Sequence, residues 1–216
     1  MSKIAIFGAG GFGREVACLI HKINEFIPES NQWKLIGFFD DGLPVGTRNE
    51  YGEVLGGVNE LNNWEEEISV AIAIGSPRIV EIIANKITSP KISFPNIIAP
   101  DVIFLDEDNY KIGKGNIISF GCLISCNVEL GNHNILNGFI AVGHDTIIGN
   151  YNSFMPSVNI SGEVKIGDKN YFGVDSTILQ QKTIGNNTTI GANSLIIRKT
   201  KDGNTYVGNP ATIVKY

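Results

Sequence analysis

The chain has 216 residues and a net charge of −5 at pH 7, with 43% of residues apolar and 18% charged. That is the composition of a globular protein of one or two domains, and without a basic stripe it excludes an electrostatic footprint for nucleic acid. No apolar run approaches the roughly 18 residues of a membrane span, so no membrane association is expected. No signal peptide precedes the first strand, which points to the cytoplasm. Cys18, Cys122 and Cys126 are odd in number and read as small buried hydrophobes.

Residues 3–7 (Lys-Ile-Ala-Ile-Phe) read as a buried parallel strand, followed by Gly8-Ala9-Gly10-Gly11-Phe12-Gly13. A helix from about Arg14 to Phe26 carries Val16, Leu19, Ile20 and Ile23 on one face. A second strand, 34–39, ends in Asp40-Asp41; a third, 70–74, ends in Gly75-Ser76-Pro77-Arg78 and leads into a helix reaching about Lys86. Strand, glycine turn and helix, with an acidic residue ending the next strand, form the dinucleotide-binding fingerprint. This stretch holds only one mononucleotide-sized half. A nucleotide-linked ligand could rest its pyrophosphate on the helix N-terminus near Gly10 and Gly11; the plainer reading is that the glycines make a tight turn. Pro95 and Pro100 mark the passage to a second region, which divides the chain into a Rossmann-like α/β domain (1–97) and a repeat domain (98–216). The Asp106-Glu107-Asp108 run reads as a solvated corner.

From Ile112 to Ile196 every sixth residue is apolar, in unbroken register. Glycine follows the aliphatic residue at Gly113, Gly131, Gly149, Gly167 and Gly185, and Asn116, Asn134, Asn152, Asn170 and Thr188 stand three residues further on. A period of six is no helix, whose apolar positions recur at about 3.6. Three short strands per 18-residue turn would each turn one aliphatic side chain inward, with glycine and asparagine at the corners where positive φ costs them little. Five such coils stacked at the inter-strand spacing make a prism roughly 24 Å tall.

Of three histidines, His21 reads as a surface or boundary residue on the first helix and His133 as a solvated corner. His144 is followed directly by Asp145. Imidazole titrates nearest neutrality, and a carboxylate beside it favours its protonated form and so raises its basicity. One coil above His144 lies Gly162, whose backbone N–H a ligand could reach. A zinc site would need three histidines; with two on the repeat, no metal is expected.

The hexapeptide period resembles the bacterial hexapeptide-repeat acyltransferases, which fold as left-handed parallel β-helices. The glycine turn, the Asp-Asp pair and the Ala-Ile-Gly ending strand three narrow the resemblance. They point to the sialic-acid O-acetyltransferase family, with its N-acetyltransferases of nucleotide-linked 4-amino-4,6-dideoxysugars. The resemblance implies a homotrimer with acetyl-CoA bound between neighbouring subunits and a nucleotide sugar held by the N-terminal domain. It casts His144 and Asp145 as the catalytic pair and Gly162 as the contact to the acetyl carbonyl. Val174 and Ala192 would make backbone contacts to the pantetheine arm, and Ser153 stands near the cofactor where some members carry a second histidine. Gly10, Gly11 and Phe12 would line the phosphate and sugar, Asp40 and Asp41 the base and ribose, and Gly75 the pocket wall. Phe12 departs from the family, where histidine is common. Val207-Gly208-Asn209-Pro210-Ala211 resembles the family's closing motif. N-acetylation is the main expectation because the nucleotide-binding features are retained. The alternatives are O-acetylation of a sugar or sialic-acid hydroxyl, and a non-catalytic trimeric nucleotide-binding scaffold.

Overall fold

Apolar residues without alternation belong in a strand covered on both faces. In the computed structural model, which describes residues 1–214, Ile4, Ala5 and Ile6 are fully buried in β1 (Ser2–Phe7). The N-terminal domain continues with α1 (Gly11–Phe26), β2 (Trp33–Phe39), β3 (Arg48–Asn49), β4 (Gly52–Gly56) and α2 (Val58–Asn62). It ends with β5 (Ile68–Ile72), α3 (Pro77–Lys86) and β6 (Ile92–Ser93). The sheet runs β3-β4-β2-β1-β5-β6, parallel except for the β3–β4 hairpin. Alternate β1 residues serve two layers: Ile4 and Ile6 pack with α1, and Ala5 and Phe7 with α2 and α3. The helix expected from Arg14 starts at Gly11, and the hairpin and α2 lie in a stretch where the sequence showed no period.

The second domain is a three-faced parallel β-helix of two-residue strands. Its first face begins at Ile97–Ile98 and rises through Ile117–Ile118, Ile135–Leu136, Ser153–Phe154, Tyr171–Phe172 and Thr189–Ile190. The second face contains Ala141–Val142 and Asn159–Ile160, and the third Ile147–Ile148 and Lys165–Ile166. From one coil to the next, partners lie 18 residues apart, as in Ile118↔Leu136, Leu136↔Phe154 and Phe154↔Phe172. The second residue of each strand points inward. Phe154 and Phe172, both fully buried, stack with ring centroids 4.5 Å apart. The coil starts before the first glycine-marked turn, so the prism is taller than five coils. The Asp106–Asp108 run lies in the loop after Ile103–Phe104, with Glu107 and Asp108 exposed. The closing motif forms a hairpin, Thr205–Gly208 against Ala211–Val214.

The corners correct one expectation. The repeated asparagines Asn116, Asn134, Asn152 and Asn170 are not the positive-φ residues, although Asn127, Asn187 and Asn193 are. That conformation falls one position earlier, at Gly115, His133, Tyr151, Lys169 and Asn187, which line the corner between the third and first faces. The glycines are needed for space instead: a Cβ on Gly131 would stand 2.5 Å from the carbonyl oxygen of Gly149 in the next coil. Asn116, Asn134, Asn152 and Asn170 are fully buried and form a side-chain ladder. Each Nδ2 donates to the Oδ1 one coil below at 3.0–3.1 Å, and that same oxygen accepts the backbone N–H above it. A fully satisfied buried polar column fixes the register of the stack, because a slip would strand its amides.

The N-terminal domain sits on the first face. Ile117, Ile135 and Ser153 are covered to 1–2% exposure, while Tyr171 and Thr189, further along the same column, are only half-buried. An ion pair between Glu81 of α3 and Lys169 of the corner, 2.9 Å, spans the two domains where that column begins to open.

Candidate active site

His144 and Asp145 occupy the corner between the second and third faces, in the turn from Ala141–Val142 to Ile147–Ile148. Asp145 takes φ 57°. Both side chains stand in solvent, 53% and 50% exposed, and His144 Nδ1 lies 2.7 Å from Asp145 Oδ2. Asn127, one coil below, donates to Asp145 Oδ1 at 3.1 Å. These two bonds, first that from His144 and then that from Asn127, hold the Asp145 carboxyl below its usual range. An ionised Asp145 accepts from Nδ1–H, which fixes the tautomer and leaves Nε2 bare, as a general base requires.

The imidazole lies over Gly162. A Cβ there would stand 2.5 Å from Nε2 and 2.6 Å from Cε1, so only glycine admits the ring. The Glu163 amide is spent on the His144 carbonyl at 2.8 Å, whereas the Gly162 N–H donates to no carbonyl among the described residues. A base and a free donor therefore share one corner.

The other cofactor candidates are elsewhere in the chain. Val174 and Ala192 are exposed at the corner between the first and second faces. Ser153 lies on the first face beneath the N-terminal domain, 1% exposed, so within one chain it offers a cofactor no surface. The reason is topological: nine residues after His144 the coil has turned onto another face.

Among the described residues nothing stands within 4 Å of where a Cβ would sit on Gly10, Gly11 or Gly75. Gly10 caps α1 without a side-chain bond, which leaves that helix end open to an anion. Asp40 carries backbone load: Oδ2 accepts from Ala9 N at 2.9 Å and Oδ1 from Gly42 N at 2.8 Å. Asp41 Oδ1 accepts from Val58 N at 2.8 Å. Both acids line a cleft of about 560 Å³ with Asn59, Glu60 and Lys86. Phe12 is half-buried and packs against both hydrophobic layers of the sheet.

Gly75 lines a groove of about 670 Å³ together with Ser76, Arg78, Met155, Lys169 and Tyr171. This groove lies just past the C-terminal end of β5, and open α/β sheets bind ligands outside the carboxyl ends of their strands. Its β-helix wall was not legible, because Met155, Lys169 and Tyr171 share no motif.

His133 is the clearest correction. It is 5% exposed rather than solvated, stacked on Tyr151 at 5.7 Å and edge-on to Phe94 at 4.9 Å. Burial, helped by the charge of Lys114, pushes its pKa down to about 4, and its Nδ1 has no partner among the described residues. Cys18 is another: it is exposed, with Sγ 3.1 Å from the Tyr51 hydroxyl, whereas Cys122 is buried as expected. Among the described residues no group of three or more His, Cys, Asp or Glu could hold a metal ion. No helix among them is long and apolar enough to cross a membrane.

Residues 3–87 match the family model of the PglD N-terminal domain. No curated protein matches the chain. Among solved structures, the acetyltransferase domain of PglB from Neisseria gonorrhoeae FA1090 in complex with acetyl coenzyme A is 28% identical, with a TM-score of 0.87 and 98% of each chain covered. WeeI from Acinetobacter baumannii AYE is 26% identical, with a TM-score of 0.86, covering 99% of this chain and 100% of its own. PerB from Caulobacter crescentus, in complex with CoA and GDP-perosamine, shares the fold at 22% identity and a TM-score of 0.89, over 100% of this chain and 98% of its own.

Proposed function

We propose that this hexapeptide-repeat acetyltransferase carries the acetyl group of acetyl-CoA to the amine of a nucleotide-linked 4-amino-4,6-dideoxysugar, with His144 as general base. The observation that carries the reading is the His144–Asp145 pair over Gly162, whose N–H is unspent. As the neutral amine attacks the thioester carbonyl, Nε2 takes the proton the nitrogen must lose. The Gly162 N–H donates to the carbonyl oxygen as it becomes an oxyanion. Collapse breaks the C–S bond, and the imidazolium returns its proton to the departing thiolate, so the base ends as it began. Asp145 keeps Nδ1 protonated throughout.

Residues 1–97 hold the acceptor in this reading and 98–216 the donor, in the cytoplasm where both substrates are made. The acceptor groove opens on the first face, while His144 stands at the corner opposite that face, so a single chain keeps them apart. A homotrimer closes the site between copies. Exposed Ile103, Leu105, Phe139, Val174 and Leu179, on the second face and its two corners, supply an apolar surface for it. CoA between subunits would touch Gly162 of one copy and Val174 and Ala192 of the next.

Thiol release from acetyl-CoA, measured with a panel of UDP-, dTDP- and GDP-linked 4-amino sugars and their 4-hydroxy counterparts, tests the reaction. Release with the amines alone is expected, and release only with the hydroxy sugars would replace it with O-acetylation. Mixing inactive His144→Ala and Tyr171→Ala chains should restore activity if the site spans two copies. A stable monomer of about 23 kDa by sedimentation at micromolar concentration would end the trimer.

A further inference from the structure

We infer that Lys169 and Arg78 form a phosphoryl clamp across the domain boundary, and that Glu81 holds Lys169 in reserve until a phosphorylated ligand enters. The inference deepens the proposed function and rests on it. Both cations line the 670 Å³ groove that begins at Gly75. Arg78 is exposed and makes no ion pair or side-chain hydrogen bond among the described residues, although the chain carries a net negative charge. Lys169 is 26% exposed, and among the described residues its one carboxylate partner is Glu81, across the boundary on α3. Among the described residues nothing stands within 4 Å of a Cβ built on Gly75, and the N–H groups of Gly75 and Ser76 donate to no carbonyl. A guanidinium, an ammonium and two amides that donate to no carbonyl among the described residues face one open cavity, beside the neutral polar groups of Ser76, Tyr171, Asn187 and Thr189; phosphate is the biological group that takes several charged and neutral donors at once.

The coil path explains why the lysine is there. Position 169 belongs to the positive-φ column in which His133, two coils earlier, is buried and Tyr151, one coil earlier, is half-buried against the α3 layer. Where the N-terminal domain lifts away, the same outward position reaches the groove instead. Glu81 then neutralises a cation that would otherwise stand half-desolvated and unpaired, and the phosphate displaces that carboxylate.

This makes Lys169 and Glu81 act in opposite directions on binding, although they form one ion pair. Titration calorimetry of the full chain with UDP, GDP, 3′,5′-ADP and CoA reads it. Lys169→Ala and Arg78→Ala should each weaken the ligand that uses the clamp about tenfold. Glu81→Gln should tighten the same ligand by freeing the lysine. Lys165→Ala, which removes an exposed charge from the third face, should leave the titrations unchanged. Loss confined to UDP or GDP assigns the clamp to the acceptor's diphosphate, and loss confined to 3′,5′-ADP and CoA assigns it to the donor. If Glu81→Gln weakens binding as Lys169→Ala does, the pair is only a domain strut and the clamp is wrong. Unchanged titrations for both lysine and arginine variants overturn it equally. Either result leaves His144 chemistry standing, since thiol release in the presence of saturating substrates is scored separately.

Discussion

Two corners of one prism carry a histidine, His133 on the positive-φ residue of its turn and His144 one residue before it, and make opposite things of it. At the corner between the third and first faces, His133 is roofed by Phe94, stacked on Tyr151 and driven down to a pKa of about 4. At the corner between the second and third faces, His144 stands half in solvent, tied to Asp145 at 2.7 Å over a glycine. The coil is the same; the neighbours one coil away and across the domain boundary differ. Reactivity here is a property of what covers the corner: burial without a partner disfavours the charged imidazole at His133, while an open ring held by a fixed carboxylate leaves Nε2 of His144 within reach of a ligand.

The widest separation between the two corners should appear in catalysis. His144→Ala or His144→Asn is expected to lower kcat by about 10²–10⁴, the contribution of a positioned acid–base group. Asp145→Asn should cost less, since it removes the carboxylate that orients the ring and fixes its tautomer but not the base itself. His133→Ala should leave kcat of the folded enzyme near that of the parent while lowering stability by about 2–3 kcal/mol through lost packing. Steady-state kinetics paired with denaturant titration separates the two, and a His144→Ala enzyme that keeps most of its kcat would reassign the base to the N-terminal domain or to solvent.

Gly162 sharpens the comparison from beneath the ring. Gly162→Ala places a Cβ where His144 Nε2 and Cε1 now lie, so the imidazole must swing away from the free amide. A misplacement of about 1 Å in a catalytic group costs about 10²-fold in rate. Folding should be nearly unaffected, because the glycine's φ is not among the positive values. Unchanged kcat in a folded Gly162→Ala protein would show that the ring and the oxyanion donor are not used together.

The other corner should fail structurally. Asn152→Ala removes the middle of the buried ladder, leaving the Asn170 amide and the Asn134 oxygen without their side-chain partner. An orphaned buried polar group costs about 1–3 kcal/mol. Asn127→Ala, at the reactive corner, leaves exposed groups that water can serve, and should cost well under that by the same denaturant measurement.

Legibility differed between these corners for physical reasons. The six-residue period shows in the sequence because every inward position must be apolar, and the His144–Asp145 pair is two adjacent letters. The positive-φ column does not show: Gly115, His133, Tyr151, Lys169 and Asn187 share no chemistry, since the closed path of the coil imposes that conformation on whatever residue falls there. The burial of His133 depends on Phe94, and the groove on Lys169 meeting Glu81 some 88 positions away, contacts that only the docking of two domains creates. The burial of Ser153 was hidden in the same way, because its cover is supplied by the other half of the chain.

The smallest expected effect is a pH dependence confined to His133. Its folded pKa, about 4, lies below the ordinary 6.5, so at pH values between them the unfolded chain binds a proton that the folded chain refuses. Stability from this group is therefore complete above about 6.5, declines as pH falls, and levels off below about 4. Between about pH 7 and about pH 5.5 the loss amounts to about 1 kcal/mol. Lys114 is the charged group that adds to the shift, and it stays protonated across this range. Carboxylates begin to titrate at the lower end, so the measurement is a difference: denaturant midpoints of the parent and of His133→Phe, which keeps a ring between Phe94 and Tyr151 but cannot ionise. The parent should lose stability relative to the variant as pH falls through this window. Parallel profiles would mean that His133 takes up its proton in place, through a partner for Nδ1 or by an opening of the roof, and the two corners would then be electrostatically alike.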